Sequence, residues 1–342
     1  MMYDVTIGIP VYNAKDYIVN TMESALSQTY PSIEFLIIDD CGEDGSISEI
    51  LRIIEEHPRG AHIHVLRNDN NYGVGYCRNR IIAESQGKYL YFMDSDDIIE
   101  YNTIQLLMNA MINHQVQIAY ASYDIIDTVN NEPIEVYRKP SIVIDKEDEL
   151  AMYAFKYNKV FHVSVCNSLI DLTFLRHTGL KFIDAFFWED LAFTSELVTM
   201  VSRAVFISDI TYHYIRRSGS LSHYQERDQY DKGEFMNSLF VLNYLKEKCI
   251  NLKGKDYLPF FCYNLEVNSF YIVLRIMKYS HQIVPAVTSS EMKAFLKHPM
   301  SISEIFFFSN KKLANLLFWF IGNMPVLILV PIMNIIRKIK HY

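Results

Sequence analysis

The chain has 342 residues, half of them hydrophobic and 14% aromatic, which excludes a disordered polypeptide and is ample for a full core. Its formal net charge of −8 argues against a nucleic-acid binder, which would present a basic field. A phosphorylated substrate would therefore need a local cation, from a metal or from a few arginines.

The five cysteines, Cys41, Cys77, Cys166, Cys249 and Cys262, are odd in number and lack the short spacing of a zinc or redox motif. They read as reduced, packed thiols of a cytosolic protein. Asp4 interrupts the N-terminal apolar stretch and a strand begins almost at once, so no signal peptide is expected.

In the first third, short apolar runs alternate with amphipathic stretches. Val5–Pro10, Glu34–Asp39, His62–Leu66, Tyr89–Met93 and Ile118–Tyr123 read as buried strands. Tyr17–Ser27, Ser46–Glu56, Gly75–Ser85 and Thr103–Asn113 carry apolar residues at helical spacing. This order implies an α/β fold with a doubly wound, mostly parallel sheet. Ligands of such sheets sit beyond the carboxyl ends of the strands, where Asn13, Asp39, Asp40, Asp94, Asp96 and Asp97 fall. After Asp124 the rhythm changes. A strand pair is expected over Asp127–Val143 around Asn130-Asn131, then a helix over Lys146–Tyr157 and a strand over Val163–Ile170. A helix over Asp190–Val201 and strands at Ala204–Ile207 and Thr211–Ile215 follow. Beyond Gln225 only helical patterns are visible, as in Glu234–Lys248 and Phe260–Tyr279.

The most informative run is Asp94-Ser95-Asp96-Asp97, directly after a buried strand. Carboxylates crowded there repel one another unless a cation sits among them, and hard oxygen donors suit Mn²⁺ or Mg²⁺. A solvated loop with Asp97 capping the next helix would account for the same residues. Asp39 and Asp40 end the second strand, where a carboxylate can accept from a base N–H or from ribose hydroxyls. Asp40 or Asp44 could equally shape a turn. Pro10 ends the first strand, Tyr12 offers a flat face for a base, and Asn13 follows it.

Taken in order, Ile9-Pro10-Val11-Tyr12-Asn13, the Ser24–Tyr30 run, Ile37-Ile38-Asp39-Asp40, the Arg67–Asn79 run and Met93-Asp94-Ser95-Asp96-Asp97 closely resemble family 2 glycosyltransferases of the GT-A fold. The resemblance covers roughly the first 220 residues, and the motifs are specific in combination. It implies a GT-A catalytic domain over 1–224, with a nucleotide-binding half (1–124) and an acceptor half (125–224), followed by a helical region (225–342). It also implies an inverting transfer of a sugar from a nucleotide diphosphate, UDP by family analogy, onto an acceptor hydroxyl in cell-surface polysaccharide or lipopolysaccharide synthesis.

The site residues follow from the same resemblance. Pro10, Tyr12, Asn13, Asp39 and Asp40 would hold the base and ribose, with Arg78 near the sugar nucleotide. Asp94 and Ser95 would bind donor, Asp94 and Asp96 the metal, and Asp96 would be the direct ligand. In Phe187-Trp188-Glu189-Asp190, Asp190 would be the base, Glu189 an orienting group or acceptor ligand, and Trp188 an acceptor-facing aromatic. An acidic pair opening a helix also has an ordinary electrostatic explanation. Arg216 and Ser220, in a late Tyr-His-Tyr-Ile-Arg run and the hydroxyls after it, would hold the diphosphate. His213 in that run is either a packed strand histidine or a further metal ligand.

Two other enzyme classes fit less well. A nucleotidyltransferase would need a glycine-rich loop after the first strand, and Val11–Lys15 has no glycine. A dinucleotide-dependent oxidoreductase would need its G-x-G there too, whereas Gly73–Gly75 lies elsewhere. A donor-binding module without turnover is the non-enzymatic alternative. Finally, Leu313–Ile336 is uncharged, flanked by Lys311, Lys312, Arg337 and Lys338, and interrupted by Pro325 and Pro331. That pattern predicts a broken helix pair lying on the inner face of a membrane, with a buried helix as the other reading. A lipid-linked saccharide acceptor would suit a peripheral, cytoplasmic location.

Overall fold

The computed structural model describes residues 2–127, 133–157, 164–216 and 228–339. The chain divides into two compact units. The first holds the chain up to Leu150, the stretch ending at Asp184, and the stretch beginning at Glu189; the second holds Ala185–Trp188 and the C-terminal elements.

In the first unit, β1 (Tyr3–Val11), α1 (Ile18–Leu26), β2 (Ile33–Asp39), α2 (Ser46–Glu56), β3 (Ile63–Arg67), α3 (Val74–Glu84) and β4 (Gly87–Phe92) follow in strict alternation. They form the parallel part of the sheet, ordered β3-β2-β1-β4. Every β1 residue except Asp4 is buried, as is all of β2, because helices cover both faces of such a sheet. Helix and strand approach closely at Gly8. A Cβ there would lie 2.3 Å from Ile81 Cγ2, so the absent side chain lets α3 rest on β1.

Next come β5 (Ile98–Ile99), α4 (Thr103–His114), β6 (Ile118–Asp127), β7 (Pro133–Tyr137), β8 (Ile142–Ile144), α5 (Glu149–Met152), β9 (Ser168–Asp171), α6 (Leu172–Thr178), α7 (Glu189–Met200) and β10 (Ala204–Arg216). Here the sheet becomes mixed. β9 sits antiparallel between β4 and β6, while β6 and β10 run parallel.

Several expected elements change form. The two strands expected around residues 204–215 are one, β10, which passes through register shifts near Phe206 and Ile210. The exposed Ser208 and Asp209 read as a break in sequence, but a bulge absorbs them without ending the strand. The expected pair over Asp127–Val143 is split. β7 pairs with β6 but β8 pairs with β10, and Asn130-Asn131 lies outside the described residues. The helix expected over Lys146–Tyr157 is a single α turn continued by a π turn at Tyr153–Tyr157, entered through Asp148 with φ 63°. The strand expected over Val163–Ile170 begins only at Ser168, because Asn167 has φ 60° and spends its side-chain amide on the Ala121 and Ser122 carbonyls.

The second unit contains β11 (Tyr230–Asp231), α8 (Lys232–Lys248), α9 (Leu258–Lys278), β12 (Ile283–Val284), α10 (Ser289–Phe295), α11 (Ile302–Phe306), α12 (Lys312–Asn323) and α13 (Val326–Ile339). The short β11–β12 pair corrects the expectation of helices alone; two residues per strand leave no alternation to read. Thr288 with Glu291 and Ser301 with Glu304 form capping boxes that start α10 and α11. Inside, Lys246 Nζ lies 2.8 Å from the fully buried Glu266 carboxylate and donates to the Phe295 and Lys297 carbonyls at 2.7 and 2.9 Å. The uncharged C-terminal run is a helix pair broken at Met324-Pro325. Among the described residues no helix is long and apolar enough to cross a membrane.

The tight seat at Gly8 yields a stability prediction. Gly8→Val should destabilise the protein by about 1–3 kcal/mol, since an overpacked core must shift α3 off β1. Urea unfolding of the two proteins measures it, and an unchanged midpoint would contradict the packing described.

Candidate active site

The strand ends of the parallel half assemble the polar cluster. At the end of β2, the buried Asp39 carboxylate accepts from the Cys41 and Gly42 N–H groups at 3.0 and 3.3 Å. Arg67 Nε lies 3.4 Å from its other oxygen. Asp40 points the opposite way. Its carboxylate accepts from the Asn68 amide at 2.6 Å and from the Tyr72 and Gly73 N–H groups at 3.0 and 2.7 Å. Asp40, expected at the donor base or ribose, thus has its oxygens bonded to the loop that launches α3. Gly73, with φ 86°, makes the turn that loop requires.

One helical turn into α3, Arg78 is 4% exposed and lies over the Phe182 ring, 5.6 Å from its centroid. Its Nη1 donates to Glu189 at 2.6 Å and its Nη2 to Asp94 at 2.9 Å. Burial opposes the guanidinium charge, but Asp94 and Glu189 outweigh it and hold the group above its ordinary value. Arg78 therefore joins the end of β4 to the start of α7, elements nearly a hundred residues apart in sequence.

Glu189 and Asp190 open α7, where the helix dipole favours negative charge. Burial nevertheless raises the Glu189 carboxyl despite Arg78. Asp190 is pushed up to about 7, first by burial and then by the neighbouring Glu189 charge. Its Oδ1 accepts the Leu191 N–H at 2.8 Å, and part of the residue remains accessible to solvent. Trp188 precedes the pair with a left-handed backbone, φ 69°, and belongs to the second unit.

The four-residue run after β4 divides its labour. Asp94, with 31% of its side chain exposed, holds Arg78, and Asp96 is also half-buried. The Ser95 carbonyl accepts the Thr21 hydroxyl at 3.0 Å. Asp97 does not cap a helix. It is 1% exposed and accepts the Tyr212 hydroxyl at 2.5 Å and the Ile215 N–H at 2.9 Å, bracing the run against β10. Burial, then the charges of Asp96 and Asp94, raise its carboxyl well above the usual range.

The remaining expected residues spread out. Pro10 is buried in β1, Tyr12 is 49% exposed, and Asn13 accepts the Glu43 N–H at 3.1 Å from a left-handed backbone. Arg216, at the end of β10, lies 3.8 Å from Glu135. Ser220 lies outside the described residues. His213 is the packed strand histidine: Nδ1 faces Asp124 at 2.7 Å and Nε2 faces Glu100 at 3.0 Å, so both ring nitrogens are engaged. Asn68 and Tyr212 were not singled out as partners, although both lie within the quoted motifs. An open depression of about 360 Å³ lined by Glu100, Tyr101, Asn102, Leu106, Arg138, Asp209 and Ile210 contains none of the Arg78 cluster. The cluster, by contrast, gathers carboxylates that burial raises, with Asp190 pushed up to about 7, a kind of perturbation that is frequent at functional sites.

Among the described residues no three His, Cys, Asp or Glu side chains gather into a metal-holding group. Asp94 and Asp96 nevertheless fit a hard cation. They supply an oxygen-only donor set, and Mg²⁺ commonly takes one or two carboxylates and completes its shell with water and substrate phosphate.

The profile of glycosyl transferase family 2 matches residues 6–179, slightly more than half of the chain. The chain belongs to that family. Among curated relatives, the putative teichuronic acid biosynthesis glycosyltransferase TuaG of Bacillus subtilis is 33% identical over 121 residues, 35% of this chain and 47% of that one. The match thus spans about half of the Bacillus protein. The Escherichia coli UDP-Glc:alpha-D-GlcNAc-diphosphoundecaprenol beta-1,3-glucosyltransferase WfgD is 26% identical over 192 residues, 54% of this chain and 68% of that one. Among solved structures, Staphylococcus aureus TarS residues 1–349, in complex with UDP-GlcNAc, superposes with a TM-score of 0.66 at 16% identity, covering 93% of this chain and 90% of that one. The shared fold is the GT-A α/β fold expected from the motifs.

Arg78→Met would strand Glu189 as a buried, uncompensated charge. The substitution should cost about 3–5 kcal/mol at neutral pH, and less in acid where Glu189 takes up a proton. Thermal unfolding of the mutant and parent across pH measures both the loss and its direction.

Proposed function

We propose that the protein is an inverting glycosyltransferase that moves a sugar from a nucleotide diphosphate, UDP in the simplest case, to a saccharide hydroxyl. The observation that carries this reading is the Asp94–Arg78–Glu189 bridge, which joins the family's donor-side aspartate run to an acidic pair whose second member is held near 7. Asp190 accepts the acceptor hydroxyl proton as the oxygen attacks the anomeric carbon and the diphosphate leaves from the opposite face. A single displacement of this kind inverts the anomeric centre and needs no covalent intermediate. Glu189, held by Arg78, keeps Asp190 proton-hungry through its charge and orients the start of α7. Asp39, Tyr12 and Asn13 are the groups we assign to the nucleoside, with Arg216 and Ser220 on the diphosphate and Trp188 on the acceptor. Asp94 and Asp96 would hold Mn²⁺ or Mg²⁺, which when bound neutralises charge on the leaving diphosphate.

The relatives support the substrate classes. One is named for teichuronic acid biosynthesis and another for a diphosphoundecaprenol-linked acceptor, and the solved neighbour binds UDP-GlcNAc. A cell-surface polysaccharide acceptor, free or lipid-linked, follows for this chain, and with it a peripheral position on the inner face of the membrane. A donor-binding module without turnover would need neither the Arg78 bridge nor an acidic group tuned to neutrality.

Asp190→Asn should bind donor normally and lose ~10²–10⁴ of its transfer rate, the usual worth of a general base. In the parent, kcat/KM should fall about tenfold per pH unit below 7, because protonated Asp190 cannot take another proton, and level off above it. That acid limb should vanish in the mutant; a mutant within about tenfold of the parent would move the base to Glu189. Asp96→Ala should abolish metal-dependent donor binding, read by thermal shift with nucleotide sugars and Mn²⁺, while leaving the fold intact. Full activity of that mutant in the presence of chelator would remove the metal from the mechanism.

A further inference from the structure

The C-terminal helices of the second unit present an outer surface of a kind that folded helices seldom leave in water. Along α12, Leu313, Leu317 and Phe320 recur at helical spacing and are 82%, 59% and 52% exposed. Along α13, Leu327, Ile328 and Ile335 are 88%, 52% and 58% exposed. Phe306 and Phe307, at the end of α11, add a protruding aromatic pair at 57% and 89%. The opposite faces pack inward: Ile321, Leu329 and Met333 are buried, and so is Asn315, whose amide donates to the Pro259 carbonyl at 3.0 Å. A surface helix of a water-soluble unit turns polar residues outward, and one that turns a contiguous apolar stripe outward needs an apolar medium on that side.

The charge pattern names that medium. From Ile305 to Tyr342 the sequence has five Lys or Arg residues and no Asp or Glu, in a chain whose net charge is −8. Lys311 and Lys312 stand where α12 begins, and Arg337 lies near the end of α13. An apolar protein partner would call for shape and hydrogen-bond complementarity, not a uniform sign of charge. Along α12 and α13, which carry Lys and Arg but no Asp or Glu, such apolar stripes match a lipid surface carrying anionic headgroups. The lengths agree. α12 has 12 residues and α13 has 14, so neither approaches the ~30 Å of a hydrocarbon core at about 1.5 Å per residue. The break at Met324-Pro325 further separates them. Short helices with an outward apolar stripe and cationic ends lie in the plane of a bilayer, that stripe sunk about 5–10 Å into the boundary between headgroups and acyl chains.

We propose that α12 and α13, with the Phe306-Phe307 knuckle, form an in-plane docking surface for an anionic lipid bilayer. This inference stands on the second unit alone and does not depend on the donor, the base or the acceptor. The test uses purified full-length protein with extruded vesicles of phosphatidylcholine alone or mixed with phosphatidylglycerol. The parent should co-sediment with the mixed vesicles, more weakly with the neutral ones, and more weakly at high salt. The double variant Leu313→Glu, Leu327→Glu, placed at the two most exposed of these helix positions, should lose at least tenfold in vesicle affinity. Its circular dichroism, melting temperature and rate of donor hydrolysis should match those of the parent. A parent that stays in the supernatant with both vesicle types overturns the proposal, as does a double variant that binds like the parent. A parent that is a dimer by light scattering, and becomes a vesicle-indifferent monomer in the double variant, also overturns it in favour of a second copy of the chain.

Discussion

One buried guanidinium organises the catalytic unit. Arg78 is the only group described here that touches both the aspartate run after β4 and the acidic start of α7. It sits where water cannot screen it, so its attraction to Asp94 and Glu189 is strong, and so is the cost of leaving any of the three unpaired. The surrounding structure serves this contact. Gly8 lets α3 lie close on β1, Asp40 and Gly73 fix the turn into α3, and Phe182 supports the guanidinium plane. Phe182 is in turn stacked on Phe193 of α7, with ring centroids 3.9 Å apart. A displacement of α3 would therefore be felt at both ends of the site.

The carboxylates illustrate how one residue type acquires different roles from its surroundings. Asp39 and Asp40 are neighbours in sequence on a pleated strand end, so their side chains diverge: one turns to the Cys41-Gly42 backbone, the other to the loop before α3. Asp97, fully buried and facing Tyr212, serves as a brace, whereas Asp94 and Asp96 are half-buried and reach solvent. Asp190 shares its helix start with Glu189, yet Glu189 receives the arginine directly while Asp190 is raised by burial and by the Glu189 charge.

Much of this was legible before the coordinates. The alternation from Val5 to Asn113 carries a local, repeated signal, and the helix expected over Ser46–Glu56 has those bounds in the structure. The acidic cluster was legible because its members sit beside strong apolar runs. What escaped depends on partners distant in sequence. Nothing local to Asp40 tells that Asn68, Tyr72 and Gly73 will consume its oxygens, and nothing near Asp97 announces Tyr212. The continuous β10 was hidden for the opposite reason: a locally polar Ser208-Asp209 bulge hides a strand that its partner β6 holds together. Two-residue strands such as β5 and β11 have too few positions to show any period.

The buried Lys246–Glu266 pair has a consequence for the helical unit. Apolar helix faces have many nearly equivalent ways to pack on one another. The Lys246 ammonium ties α8 to Glu266 of α9 and to the carbonyls of Phe295 and Lys297 around the end of α10. Each rearranged packing would leave an ion or a carbonyl stranded in oil. The charged knot thus limits the ways in which α8, α9 and α10 can pack to those that return the ammonium to its carboxylate and carbonyls.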